Sequence, residues 1–585
     1  MKTILSVKWK SGFLILLMLG IVFLAVSPCL NNGFTNFDDD VYVTQSPMIR
    51  SLSWRGAADI FANMRYAVIY TPLVFLTYAV EYAFSGLNPA VYHATNVILH
   101  LLNCFLVFVF ILLLFKKKSV AFLTALMFGM HPMHVESVAW ISERKDVLYA
   151  LFFLSCVVCY LYSLAPGRSR CRYVAAALFI LSLLAKPVAV VLPAVLLLCD
   201  YYLGRGVNKA TVKEKALFAG IALVFLILGL YTAGRYFRRD PDISALDMFF
   251  VANYSLVFYL GKLLIPLRLS CLYPYPLKTG GWLPGIFYLS PFLTVSLGYL
   301  AVLSSKVTKK AVFGAVFFMI MILPSLQLFP AGPAIVSDRY TYLSYIGLFF
   351  VIAELSVWGI KKARRYSRIA YAIALGACVC AVAALFFLTR QRCAVWKDSF
   401  TLWDNVVNNY SREYIPSAYF NRGLVYIARG GDAAAVNDLY LSLRLYYNKL
   451  GETGPGFDPR EPSLRAEYGY SGTYDYLAVN FAEIGRPLEA LILLKSALKM
   501  NPLNGRAWFN LCGVYGNDAR YQEAIAAGLK AVELLPDSSQ AHYSLAQAYY
   551  LSGQYGQACL YNQKALRLGF APGSDRLNIA GSCPK

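Results

Sequence analysis

Charge is what this chain has little of. Only 15% of its 585 residues are Asp, Glu, Lys or Arg, against about a quarter in an average soluble domain. With 58% apolar residues and a mean hydropathy of +0.52, the shortage excludes a water-soluble globular protein as a reading of the whole chain. Histidine is scarce too, at five residues, and no Cys/His/Asp quartet completes a tetrahedral metal site. There are thirteen cysteines, but Cys104, Cys156, Cys159, Cys199, Cys378, Cys380, Cys512 and Cys559 fall in helical segments without loop-rich pairing, so neither a disulfide framework nor a zinc site is expected. Cys156 and Cys159 imitate a redox pair, yet they sit mid-span, where small polarizable side chains pack helices.

What is present instead is a series of apolar runs of 17 or more residues separated by short Lys/Arg clusters. A helix of ~20 apolar residues crosses ~30 Å of hydrocarbon. The net charge of +22 therefore needs no nucleic acid, because basic cytoplasmic loops give the same excess. The start of the chain, basic over 2–10 and apolar over 12–30, resembles a secretory signal. Pro28 follows directly after the one plausible cleavage site, Ala25-Val26-Ser27, and the run is long enough to span, so a retained first helix is expected.

Putting the Lys/Arg clusters inside gives eleven spans: 12–29, 91–115, 119–137, 146–163, 172–185, 187–203, 214–233, 288–304, 311–329, 340–359 and 369–389. An outer loop covers 30–90, and an outer segment covers 234–287. Residues 248–266 are apolar enough for a twelfth span but are interrupted by Asn253, Gly261 and Lys262. Counting them would throw the basic residues of 306–310 and 361–368 outside, so they are read as an interfacial helix. An odd count puts everything after Leu388 on the outer face. The absence of a eukaryotic retrieval signal and the shortness of the array described next point to a bacterial inner membrane, with a cytoplasmic N-terminus.

Beyond Thr389 the composition becomes ordinary and self-similar. Tyr474, Leu477, Ala478, Phe481, Ala490, Ala497 and Pro502 recur as Trp508, Leu511, Cys512, Tyr515, Ala524, Ala531 and Pro536, and then as Leu545, Ala546, Tyr549, Ala558 and Ala565, at a spacing of 34 residues. Over 471–571 this resembles the tetratricopeptide repeat. A further unit starts at Tyr419, with Gly423, Tyr426 and Ala435. Residues 448–463, rich in Gly and Pro, interrupt the stack. The chain thus divides into a membrane domain over 1–389, a linker or capping half-repeat over 390–412, and a repeat domain over 413–585. The fold class is all-α: a polytopic helical bundle followed by an α-solenoid whose groove accepts an extended peptide or a helix.

Polar residues in the membrane part gather at span ends, mostly on the outer side: Asp38, Asp39, Asp40, His131, His134, Glu136, Arg144, Lys145, Asp146, Lys186, Asp338 and Arg339. Charges in or near hydrocarbon are expensive, which makes these functional candidates. Positive charge on the outer side opposes the usual bias, and an anion in an outward-opening cavity would account for Arg144, Lys186 and Arg339. His93, Asn96, His100 and Asn103 share one face of the second span. Each feature has a plain structural alternative. The aspartates suit a solvated turn, His131 and His134 a helix end, Lys186 a snorkelling side chain, and Asp338-Arg339-Tyr340 a capping ion pair.

Four stretches together resemble a known family: Asn36-Phe37-Asp38-Asp39-Asp40-Val41-Tyr42-Val43; Leu87-Asn88-Pro89-Ala90 with Tyr92-His93; His131-Pro132-Met133-His134-Val135-Glu136-Ser137-Val138-Ala139-Trp140-Ile141-Ser142; and Ala185-Lys186-Pro187 with Asp338-Arg339-Tyr340-Thr341-Tyr342-Leu343. With 34-residue repeats behind them, they are similar to the transmembrane-and-tetratricopeptide-repeat proteins of the GT-C glycosyltransferase superfamily. That resemblance implies an inverting O-mannosyltransferase using a polyprenyl phosphate sugar, with no metal or other cofactor. It implies Asp38 or Asp39 as base and Glu136 as a second acidic group. It further implies Arg144, Lys186 and Arg339 as phosphate ligands, and Asp40, His93, His131, His134 and Asp338 around the substrates. Tyr70-Thr71-Pro72-Leu73 stands where relatives often carry Arg before the proline, so one phosphate ligand is missing there.

The chemistry asked of such a site is limited, because the donor brings its own leaving group. The enzyme must deprotonate a hydroxyl and neutralise charge on the departing phosphate. The competing reading is a non-catalytic membrane anchor presenting its repeats to envelope proteins. A transporter would show charged or broken helices at mid-membrane and symmetry between halves, and neither is seen.

Overall fold

The computed structural model describes residues 9–63, 69–206, 208–233, 243–304, 308–326, 334–410, 415–430, 432–449, 471–483, 486–570 and 579. The basic start at 2–8, Lys306, residues 327–329 of the ninth expected span and most of the 448–463 interruption lie outside them. Contacts divide the chain into a unit over Met1–Asn409 and a second over Tyr410–Lys585.

The first unit is helical: α1 (Trp9–Val26), α2 (Trp54–Ala62), α3 (Pro72–Ser85), α4 (Pro89–Phe115), α5 (Lys118–Met130), α6 (Val135–Ala139), α7 (Arg144–Ser163), α8 (Cys171–Ala185), α9 (Leu192–Tyr202), α10 (Lys209–Ala233), α11 (Ala245–Leu264), α12 (Gly285–Ser304), α13 (Lys309–Ile322), α14 (Thr341–Tyr366), α15 (Arg368–Val395) and α16 (Ser399–Asn409). Every one of the eleven expected spans has a helix. Among the described residues seven helical segments are long and apolar enough to cross a bilayer by length and composition, and α5, α8 and α9 with its preceding turn are shorter apolar helices. Large apolar side chains such as Phe292 and Ile369 stand more than 70% exposed on α12 and α15, as expected of faces turned to lipid.

Two expected boundaries are corrected. The sequence predicts a third span reaching 137, but α5 ends at Met130, because His131 precedes Pro132 and takes extended backbone (φ −80°, ψ 128°). The segment 390–412 was read as a linker or half-repeat. Residues 390–409 instead finish α15 and form α16 inside the first unit, where Trp396 and Trp403 are buried. Residues 248–266 form most of a regular twenty-residue helix, α11, which packs on α12.

The bundle core is tied by α7 on α4 and α8, and by α14 on α5 and α13. Gly314 of α13 and Gly347 of α14 let two backbones touch: a Cβ on either would collide with the carbonyl of the other. That is the small-residue crossing used where helices pack without a hydrophobic drive.

Among the described residues the second unit has four helical pairs: α17 (Pro416–Ala428) with α18 (Asp432–Lys449), α19 (Ser471–Glu483) with α20 (Pro487–Met500), α21 (Gly505–Asn517) with α22 (Tyr521–Leu534), and α23 (Ser539–Leu551) with α24 (Tyr555–Arg567). The repeating positions Leu477, Ala478, Leu511, Cys512, Leu545 and Ala546 all enter one core. Cys559 is disulfide-bonded, which corrects the expectation of unpaired cysteines at that position, whereas Cys156 and Cys159 are free.

Candidate functional site

The short segments between helices bring the polar residues together. After α1 the chain turns at 27–31 and reaches Asp38 and Asp39, which precede a single helical turn over Asp40–Thr44. Asp39 is buried and fully used. It accepts from the Thr35 amide (2.8 Å) and hydroxyl (3.1 Å) and from the Ser142 amide (2.9 Å) and hydroxyl (2.5 Å). Asp38 differs. Its carboxylate takes no hydrogen bond or ion pair among the described residues, and burial pushes its carboxyl above the usual range against the pull of Lys145 and Arg339. Asp40 caps only the neighbouring Val41 amide (2.9 Å) and stays at the rim.

The centre of the cluster is Glu143, a residue absent from the sequence-based candidates. Its carboxylate meets Lys186 at 2.7 Å, Lys145 at 3.6 Å and Arg339 at 3.6 Å. Lys186 also holds Asp146 at 2.6 Å, and Asp146 accepts from Ser137 at 2.9 Å. Arg339 pairs with Glu136 and lies 5.3 Å from the Trp140 ring. Glu136 is fully buried, with one oxygen on Arg339 and the other without a partner among the described residues. Burial, opposed by Arg339, pushes its carboxyl up to about 7. Lys145 stands 4.3 Å from the Tyr42 ring. Three cations and three carboxylates, contributed by α6, α7 and the turn before it, the C-terminal end of α8 and the turn before α14, thus form one network beside the uncommitted Asp38.

Not every candidate joins it. Arg144 is fully buried and points the other way, to Glu81 (2.6 Å), Asn96 (2.7 Å), the Tyr92 carbonyl (2.7 Å) and Thr77 (3.4 Å), over the Tyr78 ring. Four of its five N–H groups are engaged there, so it ties α7 to α3 and α4. Asp338 is buried between the Tyr273 hydroxyl (2.7 Å) and Arg392 (3.2 Å). His93 donates to the Gly33 carbonyl (3.3 Å), holding the chain just before Asp38. His131 and His134 donate to the Leu263 (3.2 Å) and Phe128 (2.8 Å) carbonyls and sit among Tyr342, Tyr345 and Phe349. They form an aromatic layer, with no bond to the charged network. Among the described residues no group of three His, Cys, Asp or Glu is placed to hold a metal ion.

The tetratricopeptide-repeat family profile matches residues 477–539 and 514–575. Human protein O-mannosyl-transferase TMTC3 is 22% identical over 490 residues, 82% of this chain and 46% of that protein. The Caenorhabditis elegans protein O-mannosyl-transferase F38B6.6 is 20% identical over 413 residues, 67% of this chain and 57% of that protein. The chain is similar to the transmembrane-and-tetratricopeptide-repeat O-mannosyl-transferases. Mouse TMTC1 matches more closely over a shorter stretch, at 37% identity over 139 residues, 22% of this chain and 15% of that protein. The chain therefore spans less than two thirds of the length of these relatives. Two solved structures are similar to part of the chain at a TM-score of 0.23. They are MamA, at 20% identity over 29% of this chain and 86% of that one, and YrrB, described as a TPR protein with an unusual peptide-binding site, at 18% identity over 29% of this chain and 76% of that one.

Proposed function

We propose that the chain is a membrane glycosyltransferase that moves a mannose-like sugar from a polyprenyl phosphate to a protein hydroxyl. The observation that carries this reading is the pairing of one uncommitted carboxylate, Asp38, with a cation network around Glu143. Burial makes Asp38 a stronger base than an exposed carboxylate, which suits general-base work. Asp38 takes the proton of the acceptor hydroxyl as the hydroxyl oxygen bonds to the anomeric carbon. The bond from that carbon to the phosphate oxygen breaks, its electron pair leaves on the carrier phosphate, and configuration inverts. Lys186 and Arg339 neutralise the departing charge, the guanidinium with its planar fork. Arg144 is left out of this scheme, because it faces Glu81, Asn96 and the Tyr92 carbonyl and not the network around Glu143.

The names of the relatives support a protein acceptor, and the repeat domain supplies a groove of the kind that accepts extended peptides. The Lys/Arg distribution supports the outer face, proposed here as the periplasmic side of a bacterial inner membrane, and the Cys559 disulfide suits an oxidising compartment. The test is transfer of labelled mannose from polyprenyl phosphate mannose to protein by the purified chain of residues 1–585 in liposomes. Absence of transfer with every polyprenyl phosphate sugar supplied would overturn the reading.

A further inference from the structure

The segment from Thr389 to Asn409 looks in sequence like the exit from the membrane towards the repeats. In the structure it grips the candidate site from several sides. Asn32 donates its side-chain amide to the Cys393 carbonyl (3.1 Å), and the Gly33 amide donates to the Lys397 carbonyl (2.8 Å). The Asn36 amide donates to the Ser399 hydroxyl (2.9 Å), and the indole N–H of Trp403 donates to the Asn36 side-chain oxygen (2.7 Å). Phe37, the residue before Asp38, stacks on Trp140 (4.5 Å, 25°) and meets the edge of Trp403 (5.3 Å, 90°), and Trp396 stacks against Trp140 (5.6 Å, 20°) and lies 6.5 Å from the Phe37 ring. On the other side Arg392 pairs with Asp338, next to Arg339, and donates to the Leu269 carbonyl (2.9 Å). Thr389 donates to the Met130 carbonyl (2.6 Å), where α5 ends before His131.

The Asp38 carboxylate takes no hydrogen bond among the described residues, and its carbonyl accepts only from the following turn, at the Val41 and Tyr42 amides (3.1 Å each), so the place of the side chain is set by the backbone on either side. Asp39 is fixed from the Ser142 side, and Asn36 and Phe37 are fixed from α16. We propose that residues 389–409 are a positioning clamp for the transferase site, with the Trp403–Asn36 pair setting where Asp38 stands. This inference rests on the reading of Asp38 as the base. It makes the chain that leads to the repeats a working part of the membrane unit. Positioning from a supporting layer decides whether a site is competent, since small misplacements of a reacting group are costly.

The test uses the full chain in liposomes and three variants: Trp403→Phe, which keeps a ring and removes the N–H, Asn36→Ala, and the two combined. Each single variant is expected to lower kcat at least tenfold while the KM for polyprenyl phosphate mannose stays within twofold. The double variant is expected to be no worse than either single one, since both remove the same bond. Ser399→Ala, a milder change, is expected to give a smaller loss of the same kind. Amide exchange over 35–42 should quicken at least tenfold in each variant, with the repeats unchanged. Unchanged exchange and kcat, or strictly additive losses, would overturn the clamp. Were no transfer seen even in the parent chain, the transferase reading would fall by itself, and the exchange measurement would still decide whether the clamp holds the loop.

Discussion

Asp38 and Asp39 are adjacent in the chain and opposite in role: the Asp39 carboxylate accepts four hydrogen bonds from Thr35 and Ser142, and the Asp38 carboxylate accepts none among the described residues. Replacing Asp39 by Ala leaves two buried hydroxyls and two amides unpaired, at about 1–3 kcal/mol for each donor truly stranded. Asp39→Ala is therefore expected to lower the unfolding temperature of the purified protein by several degrees. Asp38→Asn breaks no bond and should unfold within about a degree of the parent in the same thermal scan.

Arg144 should behave as structure, whatever its sign and position suggest. Arg144→Ala strands the buried Glu81 carboxylate, and breaking a buried pair from one side costs about 3–5 kcal/mol. Arg144→Lys should recover little, because a single ammonium cannot meet Asn96, Glu81 and the Tyr92 carbonyl together. Thermal unfolding measures the loss. The KM for donor, taken on the folded fraction, should stay unchanged.

The helices were legible because apolar runs and Lys/Arg clusters carry their own physics, and each of the eleven runs contains a helix among the described residues. α3 was not, since its fourteen residues lie in a stretch that reads as one outer loop. The site was legible as a neighbourhood and misread in its wiring. Arg144 and Lys145 are consecutive on one helix and so point about 100° apart, which sign and span position do not disclose. Glu143 was overlooked for a related reason. It opens the run Glu143-Arg144-Lys145-Asp146, whose two acids flanking two bases look like a solvated helix start, and only the fold closes Lys186 and Arg339 onto it. Arg392, Trp396 and Trp403 lie beyond the last apolar run, where sequence offers no sign that the chain turns back onto the site.

Glu136 gives the membrane unit a pH signature. Its carboxyl is pushed up to about 7 in the fold, from the ordinary value of 4.5, so the folded state holds the proton more tightly. Its stabilising contribution is present below about 4.5 and is lost as pH rises through about 7. Glu136→Gln removes that dependence. Unfolding temperatures measured from pH 5 to pH 8 should fall more steeply for the parent than for the variant.

The repeat domain has its own case. Asp475 of α19 is buried, takes a hydrogen bond from Asn510 and pairs with Arg506 at 3.3 Å, and burial pushes its carboxyl up to about 6. By the same sign, its contribution is lost as pH rises from about 4 through about 6. Asp475→Asn should flatten that loss, read as slower amide exchange over α19 and α21 at neutral pH.

The central claim is that Asp38 is the base of a sugar transfer from a polyprenyl phosphate. The most direct measurement compares the parent chain with Asp38→Asn in liposomes, following label from polyprenyl phosphate mannose into protein. The account predicts transfer by the parent and a loss of at least a hundredfold in kcat for the variant, at unchanged folding and donor KM. Transfer by Asp38→Asn at the parent rate would contradict it.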